Sequence, residues 1–248
     1  MTPIKLKQAV ILAGGLGVRL RPLTNNVPKP MVKVNERPFL EHLFELLKSN
    51  GISEVVLLLG YLPEKFINYF GDGSGFGLKI KYSIGDVDWE SGTRIKKARH
   101  LFDDQFLLMY GDIYWPLNLK RIMDSYNKMG LPAMMTVYNN YKKDGEYKIN
   151  NVDINENSII TYYGNCMDKI GFSGLDIGFF ILKKDVLKRM PNDNFNFQNG
   201  YLPKLISKRQ LAAYITNEQY CTITNIDFFK KAEVFLKKIN KKLPKKDS

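Results

Sequence analysis

Cysteine is scarce in this chain. Cys166 and Cys221 are the only two among 248 residues, too few for a disulfide framework, and neither sits in a CxxC or Cys/His cluster that would hold zinc. Both read as ordinary buried or half-buried thiols. Long apolar runs are missing as well. Nothing approaches the roughly 20 apolar residues that cross a bilayer, and the early run Ala9 to Ala13 is too short for a signal peptide and ends in Gly14-Gly15. These absences predict a soluble, cytoplasmic protein with no membrane span. No internal repeat occurs, and no low-complexity tract apart from a lysine-rich end. The pattern GxxxxGK[ST] is absent, and the glycine turn near the start lacks the third glycine of GxGxxG, so neither common nucleotide fingerprint is met.

Acidic residues are outnumbered, leaving a formal net charge of +12. Such a charge suits nucleic acid, an anionic membrane surface or polyanionic small substrates. Much of it is local: Lys237, Lys238, Lys241, Lys242, Lys245 and Lys246 crowd the last turns. The rest is scattered without the aromatic interleaving of a single-strand binding groove. Residues 241–248 therefore read as a solvated basic tail, and no nucleic-acid partner is expected. Contact of that tail with RNA or anionic lipid stays as the alternative.

A hydrophobic content of 44% is enough for one sizeable core. Gln8 to Ala13, Glu54 to Gly60, Leu78 to Ile84 and Gln105 to Tyr110 read as strands, the first two and the last strongly apolar. Between them, Pro38 to Asn50, Pro63 to Tyr69 and Gly92 to Leu101 have helical periodicity, and Gly51 stops the first helix. This alternation predicts an α/β fold, a Rossmann-like and mostly parallel sheet flanked by helices, with its ligand crevice beyond the C-terminal ends of the strands. Gly14-Gly15 and Gly111-Asp112 both fall at such ends. Past Asp112 the pattern loosens: a helix over Leu119 to Met129, strands over Ala133 to Tyr138, Tyr147 to Asp153, Ser158 to Tyr163 and Asp176 to Leu182, and a closing helix over Phe228 to Ile239.

Two segments point to phosphate chemistry. Leu12-Ala13-Gly14-Gly15-Leu16-Gly17-Val18-Arg19-Leu20 joins a strand to a glycine turn and an arginine, so backbone N–H groups and a guanidinium can approach the same phosphates. Taken alone, the turn fits a plain strand exit equally well. Ten residues on, Pro28-Lys29-Pro30-Met31 holds a lysine between two prolines, which predicts an extended, low-entropy backbone delivering its ammonium to a fixed point. With Gly111-Asp112, these segments resemble the signature of the sugar-phosphate nucleotidyltransferases, and the order of elements is similar over nearly the whole chain. The resemblance is nearest to heptose-1-phosphate guanylyltransferases and, around Ser91-Gly92-Thr93-Arg94-Ile95-Lys96, to glucose-1-phosphate cytidylyltransferases.

The resemblance implies a GT-A-like nucleotide-diphospho-sugar transferase domain over 1–240, with a nucleotide-binding half at 1–117 and a sugar-binding half at 118–240. It also implies transfer of NMP from an NTP, GTP or CTP, to a sugar 1-phosphate with release of pyrophosphate. Arg19 would hold the triphosphate, Lys29 would bridge the two phosphates, and Asp112 would ligate Mg²⁺; these three are the catalytic candidates. Leu12, Ala13, Gly14, Gly15 and Gly17, with Gly92 and Arg94, are the nucleotide-binding candidates, although Arg94 fits a solvated helix position as well. Gly85 stands where thymidylyl enzymes have a base-reading glutamine, which disfavours dTTP and UTP. Asp176 and Gly178 are candidates for the sugar, with a structural carboxylate at the strand start an equal reading for Asp176. Two departures stand out: Thr222 occupies the place of a second metal-binding aspartate, and Tyr162-Tyr163-Gly164 replaces a Glu-Lys pair, for which Lys169 is a weak substitute. Asp227 reads as the cap of the closing helix. The departures motivate the alternative of a degenerate, non-catalytic nucleotide or nucleotide-sugar binding module. Homo-oligomeric assembly is implied by the resemblance alone.

Overall fold

The computed structural model describes residues 6–139, 150–164 and 174–242. Seven strands form its central sheet: β1 (Gln8–Leu12), β2 (Glu54–Leu59), β3 (Lys79–Ile84), β4 (Gln105–Tyr110), β5 (Ala133–Tyr138), β6 (Leu175–Lys183) and β7 (Leu211–Thr216). Their spatial order is β7-β5-β6-β4-β1-β2-β3. Every neighbouring pair is parallel except those of β6, which runs antiparallel to both β4 and β5. The sheet is thus mixed and mostly parallel, as the alternation predicts.

Central parallel strands are covered on both faces, and this is why they read as unbroken apolar runs. All five residues of β1 are buried. Ala9 and Ile11 point into one apolar layer, and Val10 and Leu12 into the other. The first layer is closed by α1 (Phe39–Ser49), α2 (Pro63–Phe70) and a long C-terminal helix, Ile226–Lys242. Helix α1 buries Phe39, Leu40, Leu43, Leu46 and Leu47 at helical spacing, and Gly51 then takes φ +80 to end it. The second layer is closed by α3 (Ser91–Ala98) and by the short helices Phe197–Gly200 and Leu202–Ser207. Helix α4 (Leu119–Met129) lies on the first side through Leu119, Ile122 and Tyr126.

Some elements differ from the sequence reading. Strand β7 and the two short helices before it were not foreseen, nor were the two-residue pairings Lys33–Val34 with Arg37–Pro38 and Ile113–Tyr114 with Cys221–Thr222. The strand expected from Tyr147 runs over Val152–Ile154, and the expected residues 147–149 lie outside the described residues. The closing helix starts at Ile226, two residues early, because Asn225 caps it: its Oδ1 accepts from the Phe228 N–H at 3.0 Å. Asp227 therefore lies inside the first turn and does not cap. Cys221 is buried as expected, and Cys166 lies outside the described residues.

Candidate active site

Strands β4, β1, β2 and β3 are adjacent and parallel, so the loops at their C-terminal ends share one edge of the sheet. A cavity of about 510 Å³ opens there. It is lined by Leu12 to Arg19, by Lys29 and Pro30, by Val87 to Ser91, and by Arg94, Tyr110 and Asp112. This is the crevice that such a strand arrangement generates.

The loop after β1 is held from both sides. The Ala13 N–H donates to the Leu58 carbonyl at 3.0 Å, and Gly111 N–H donates to the Leu12 carbonyl at 2.9 Å. Gly17 adopts φ +64, and a Cβ there would lie 3.0 Å from Cβ of Lys29. Glycine is needed at that point for both reasons. Arg19 sits exposed on the short 3₁₀ turn Val18–Leu20 at the cavity wall.

Lys29 is not extended. Pro28 is, but Lys29–Met31 forms a 3₁₀ turn closed by a 2.8 Å bond from Met31 N–H to the Pro28 carbonyl. The turn projects the lysine inward. Its ammonium lies 2.6 Å from Oδ2 of Asp112, and the two side chains are 12% and 22% exposed, enough for the pair to meet ligand without being fully solvated. Gly111 precedes the aspartate because space is short, a Cβ there lying 3.1 Å from the Leu12 carbonyl.

Thr222 is brought against Asp112 by the pairing of Ile113–Tyr114 with Cys221–Thr222. Its hydroxyl donates to the Asp112 main-chain carbonyl at 2.9 Å and lies 2.8 Å from the Thr224 hydroxyl, fully buried. It is engaged with protein atoms. Among the described residues no group of three or more His, Cys, Asp and Glu side chains gathers to hold a metal. Asp112 at the cavity wall is a suitable carboxylate for Mg²⁺, an ion that takes one or two carboxylates and leaves its remaining positions to phosphate oxygens and water.

Gly92 and Arg94 lie in the first turn of α3, and the burial of Arg94 excludes the solvated alternative for it. Gly92 faces the ring of Phe195, where a Cβ would lie 2.2 Å from a ring carbon, so its smallness serves packing. Arg94 lines the cavity but is 5% exposed, and its guanidinium donates to backbone carbonyls. Burial lowers its pKa, opposed by the nearby charges of Asp86 and Glu90. Gly85 leaves room for Trp89, whose ring would lie 2.3 Å from a Cβ at that position.

Asp176 is likewise occupied. Its Oδ1 accepts from the Gly178 N–H at 2.7 Å, and its Oδ2 accepts from Gln198 Nε2 at 2.7 Å and from the Tyr163 hydroxyl at 3.2 Å. Burial pushes the carboxyl up, partly offset by these three donors. The same surroundings push the Tyr163 phenol up, burial first and then the Asp176 charge. Gly178 takes φ +76 beside Tyr110, where a side chain would meet the ring at 2.8 Å. Nothing in the sequence pattern announces Gln198 or Asn151 at this cluster; Asn151 accepts the Asp176 N–H through its side chain at 2.9 Å. Lys169 lies outside the described residues.

The architecture places a crevice at the C-terminal ends of parallel strands, where ligands bind in such folds. A profile of the family described as nucleotidyl transferase matches residues 8–162. The chain is 30% identical over 217 residues to D-glycero-alpha-D-manno-heptose 1-phosphate guanylyltransferase of Campylobacter jejuni, covering 87% of this chain and 94% of that one. It is 29% identical over 245 residues to a Bacillus subtilis protein named "Probable glucose-1-phosphate cytidylyltransferase", covering 90% and 92%. Among solved structures, HddC from Yersinia pseudotuberculosis superposes with a TM-score of 0.78 at 25% identity, over 93% of this chain and all of that one. The chain belongs to the nucleotidyl transferase family, and its class is that of the sugar-1-phosphate nucleotidyltransferases.

Proposed function

We propose that this protein transfers NMP from an NTP, GTP or CTP, to a sugar 1-phosphate, forming an NDP-sugar and releasing pyrophosphate. The observation that carries the reading is the meeting of Lys29 and Asp112 in one cavity whose wall includes the Gly14-Gly15 turn and Arg19. A phosphate oxygen of the sugar phosphate attacks the α-phosphorus, and the bond to the bridging oxygen of the pyrophosphate breaks. Two anions must be brought together, so fixed positive charge is the main catalytic requirement. Lys29 lowers the repulsion between the α-phosphate and the attacking phosphate, and Arg19 takes up charge on the departing pyrophosphate. Leu12 and Ala13 lie beside the nucleoside, and Gly14, Gly15 and Gly17 let the main chain approach the phosphates. Asp112 would hold Mg²⁺, which supplies charge neutralisation at the phosphates when bound.

Asp176 and Gly178 belong on the sugar side of this reading. Because the Asp176 carboxylate is already engaged by Gly178, Gln198 and Tyr163, its part is to fix those groups around the acceptor. The nucleotide half at 1–117, the sugar half at 118–240, a cytoplasmic setting and homo-oligomeric assembly are further parts of the proposal. The names of the relatives from Campylobacter jejuni and Bacillus subtilis support a guanylyl or cytidylyl donor. The test is pyrophosphate release with Mg²⁺, crossing ATP, GTP, CTP, UTP and dTTP against hexose and heptose 1-phosphates. Release that needs both one NTP and one sugar phosphate is expected. Folded protein that binds nucleotide but releases none across the panel would support the non-catalytic binding module instead.

A further inference from the structure

Arg94 carries a charge buried without a carboxylate in hydrogen-bonding contact. Its guanidinium donates instead to four main-chain carbonyls: Leu59 at 2.8 Å, Asp86 at 2.7 Å, Val87 at 3.0 Å and Gly14 at 3.4 Å. A buried cation is tolerated only when dipoles replace its lost water, and here the dipoles come from three separate segments. Two of these segments, Gly14 and Asp86-Val87, meet on one guanidinium nitrogen and belong to loops whose residues Gly14 and Val87 line the cavity, and the third is the end of β2. The fit leaves no slack. A Cβ at Gly14 would lie 2.6 Å from the guanidinium carbon, and one at Gly60 would lie 2.5 Å from a guanidinium nitrogen.

The Gly14 carbonyl has a second donor on the same side, the Tyr61 N–H at 3.2 Å. In a planar trans peptide the carbonyl and the following N–H point in opposite directions. With the Gly14 carbonyl held toward Arg94 and Tyr61, the Gly15 N–H is aimed away from them, at an exposed residue where even a Cβ would meet nothing within 4 Å. We propose that Arg94 is a positioning residue. It orients the Gly14-Gly15 peptide so that its N–H faces nucleotide, and it ties the Asp86-Val87 loop to the glycine turn. This rests on the transferase reading for the identity of the ligand, and it accounts for Gly14 by the guanidinium beneath it.

The test uses the whole chain as wild type, Arg94→Ala, Arg94→Lys, Gly14→Ala and the Arg94→Ala/Gly14→Ala pair, with Mg·GTP and Mg·CTP as probes in calorimetric titration and melting temperatures alongside. Loss of the aligned Gly15 N–H, a hydrogen bond to a charged phosphate, is expected to weaken binding of the preferred nucleotide by about 10- to 10²-fold in each single variant. Arg94→Lys keeps the charge but lacks the planar fork, so it remains impaired. Millimolar guanidinium ion restores binding to Arg94→Ala and not to Gly14→Ala. The paired variant binds no more weakly than Arg94→Ala, because the new Cβ then has room. Variants that melt earlier yet bind nucleotide as wild type does would overturn the proposal, as would losses that add in the pair or a lack of rescue by guanidinium. A wild type that binds nucleotide but releases no pyrophosphate would defeat the transferase reading alone. Nucleotide affinity indifferent to Arg94 would defeat this one alone.

Discussion

Among single residues, Asp176 is the clearest case of chemistry hidden from the sequence. Its place at the start of a strand leaves ligand binding and a structural role equally open, and only the folded chain brings Gln198 and Tyr163 onto the same oxygen. Arg94 is similar: its position in a helix is plain from periodicity, but the carbonyls it serves are separated from it by 7 to 80 residues. Asp112 and the Gly14-Gly15 turn were easier to place, since a glycine turn and a Gly-Asp pair at the ends of parallel strands converge once those strands are neighbours. The raised Asp176 carboxyl yields a signed prediction. The folded protein favours its protonated form, so its contribution to stability is full at low pH and is lost as pH rises through the folded-state pKa. Asp176→Asn cannot ionise and escapes that loss. The difference in melting temperature, variant minus wild type, should therefore grow from pH 4 toward pH 8. A difference that stays flat across that range would show that Asp176 carries its charge without penalty in the fold.

At the level of elements, legibility tracked length and period. Leu119–Met129 and Ala133–Tyr138 lie where the sequence predicts them, the helix because its apolar residues recur on one face and the strand because all six of its residues are buried and it reads as a short apolar run. Pairings such as Ile113–Tyr114 with Cys221–Thr222 are two residues long and owe their existence to tertiary contact, so no local pattern marks them. Yet that pairing delivers Thr222 to Asp112. The closing helix was legible in its body and not at its start, where Asn225 rather than Asp227 satisfies the free N–H groups. Asn225→Ala should cost about 1 kcal/mol of stability by urea unfolding, whereas Asp227→Ala should cost a few tenths at most. Equal losses from the two substitutions would contradict the assignment of the cap.

Over the whole molecule, the antiparallel strand β6 decides how the chain is joined. It pairs with β4 from the first half and β5 from the second, so one sheet runs through both. Alternating strands and helices foretell a mostly parallel sheet, but they do not say where one strand reverses. Residues 1–117 expressed alone would leave β4 with an unpaired, apolar edge around Leu107 and Met109, which favours association over folding. That fragment is expected to lack the slow amide exchange shown by β1 and β4 in the intact chain; full protection would mean that the first half is independently stable. The central claim is that the cavity at the ends of β1 and β4 performs the transfer. Its most direct test follows the label of α-³²P-NTP, GTP and CTP in turn, mixed with sugar 1-phosphates and Mg²⁺. Label should pass into an NDP-sugar with wild type, and fall by about 10²–10³-fold in folded Lys29→Ala, as expected when charge complementary to the transition state is removed. Label that stays in the NTP, or that reaches an NDP-sugar equally well without the Lys29 ammonium, would contradict the account.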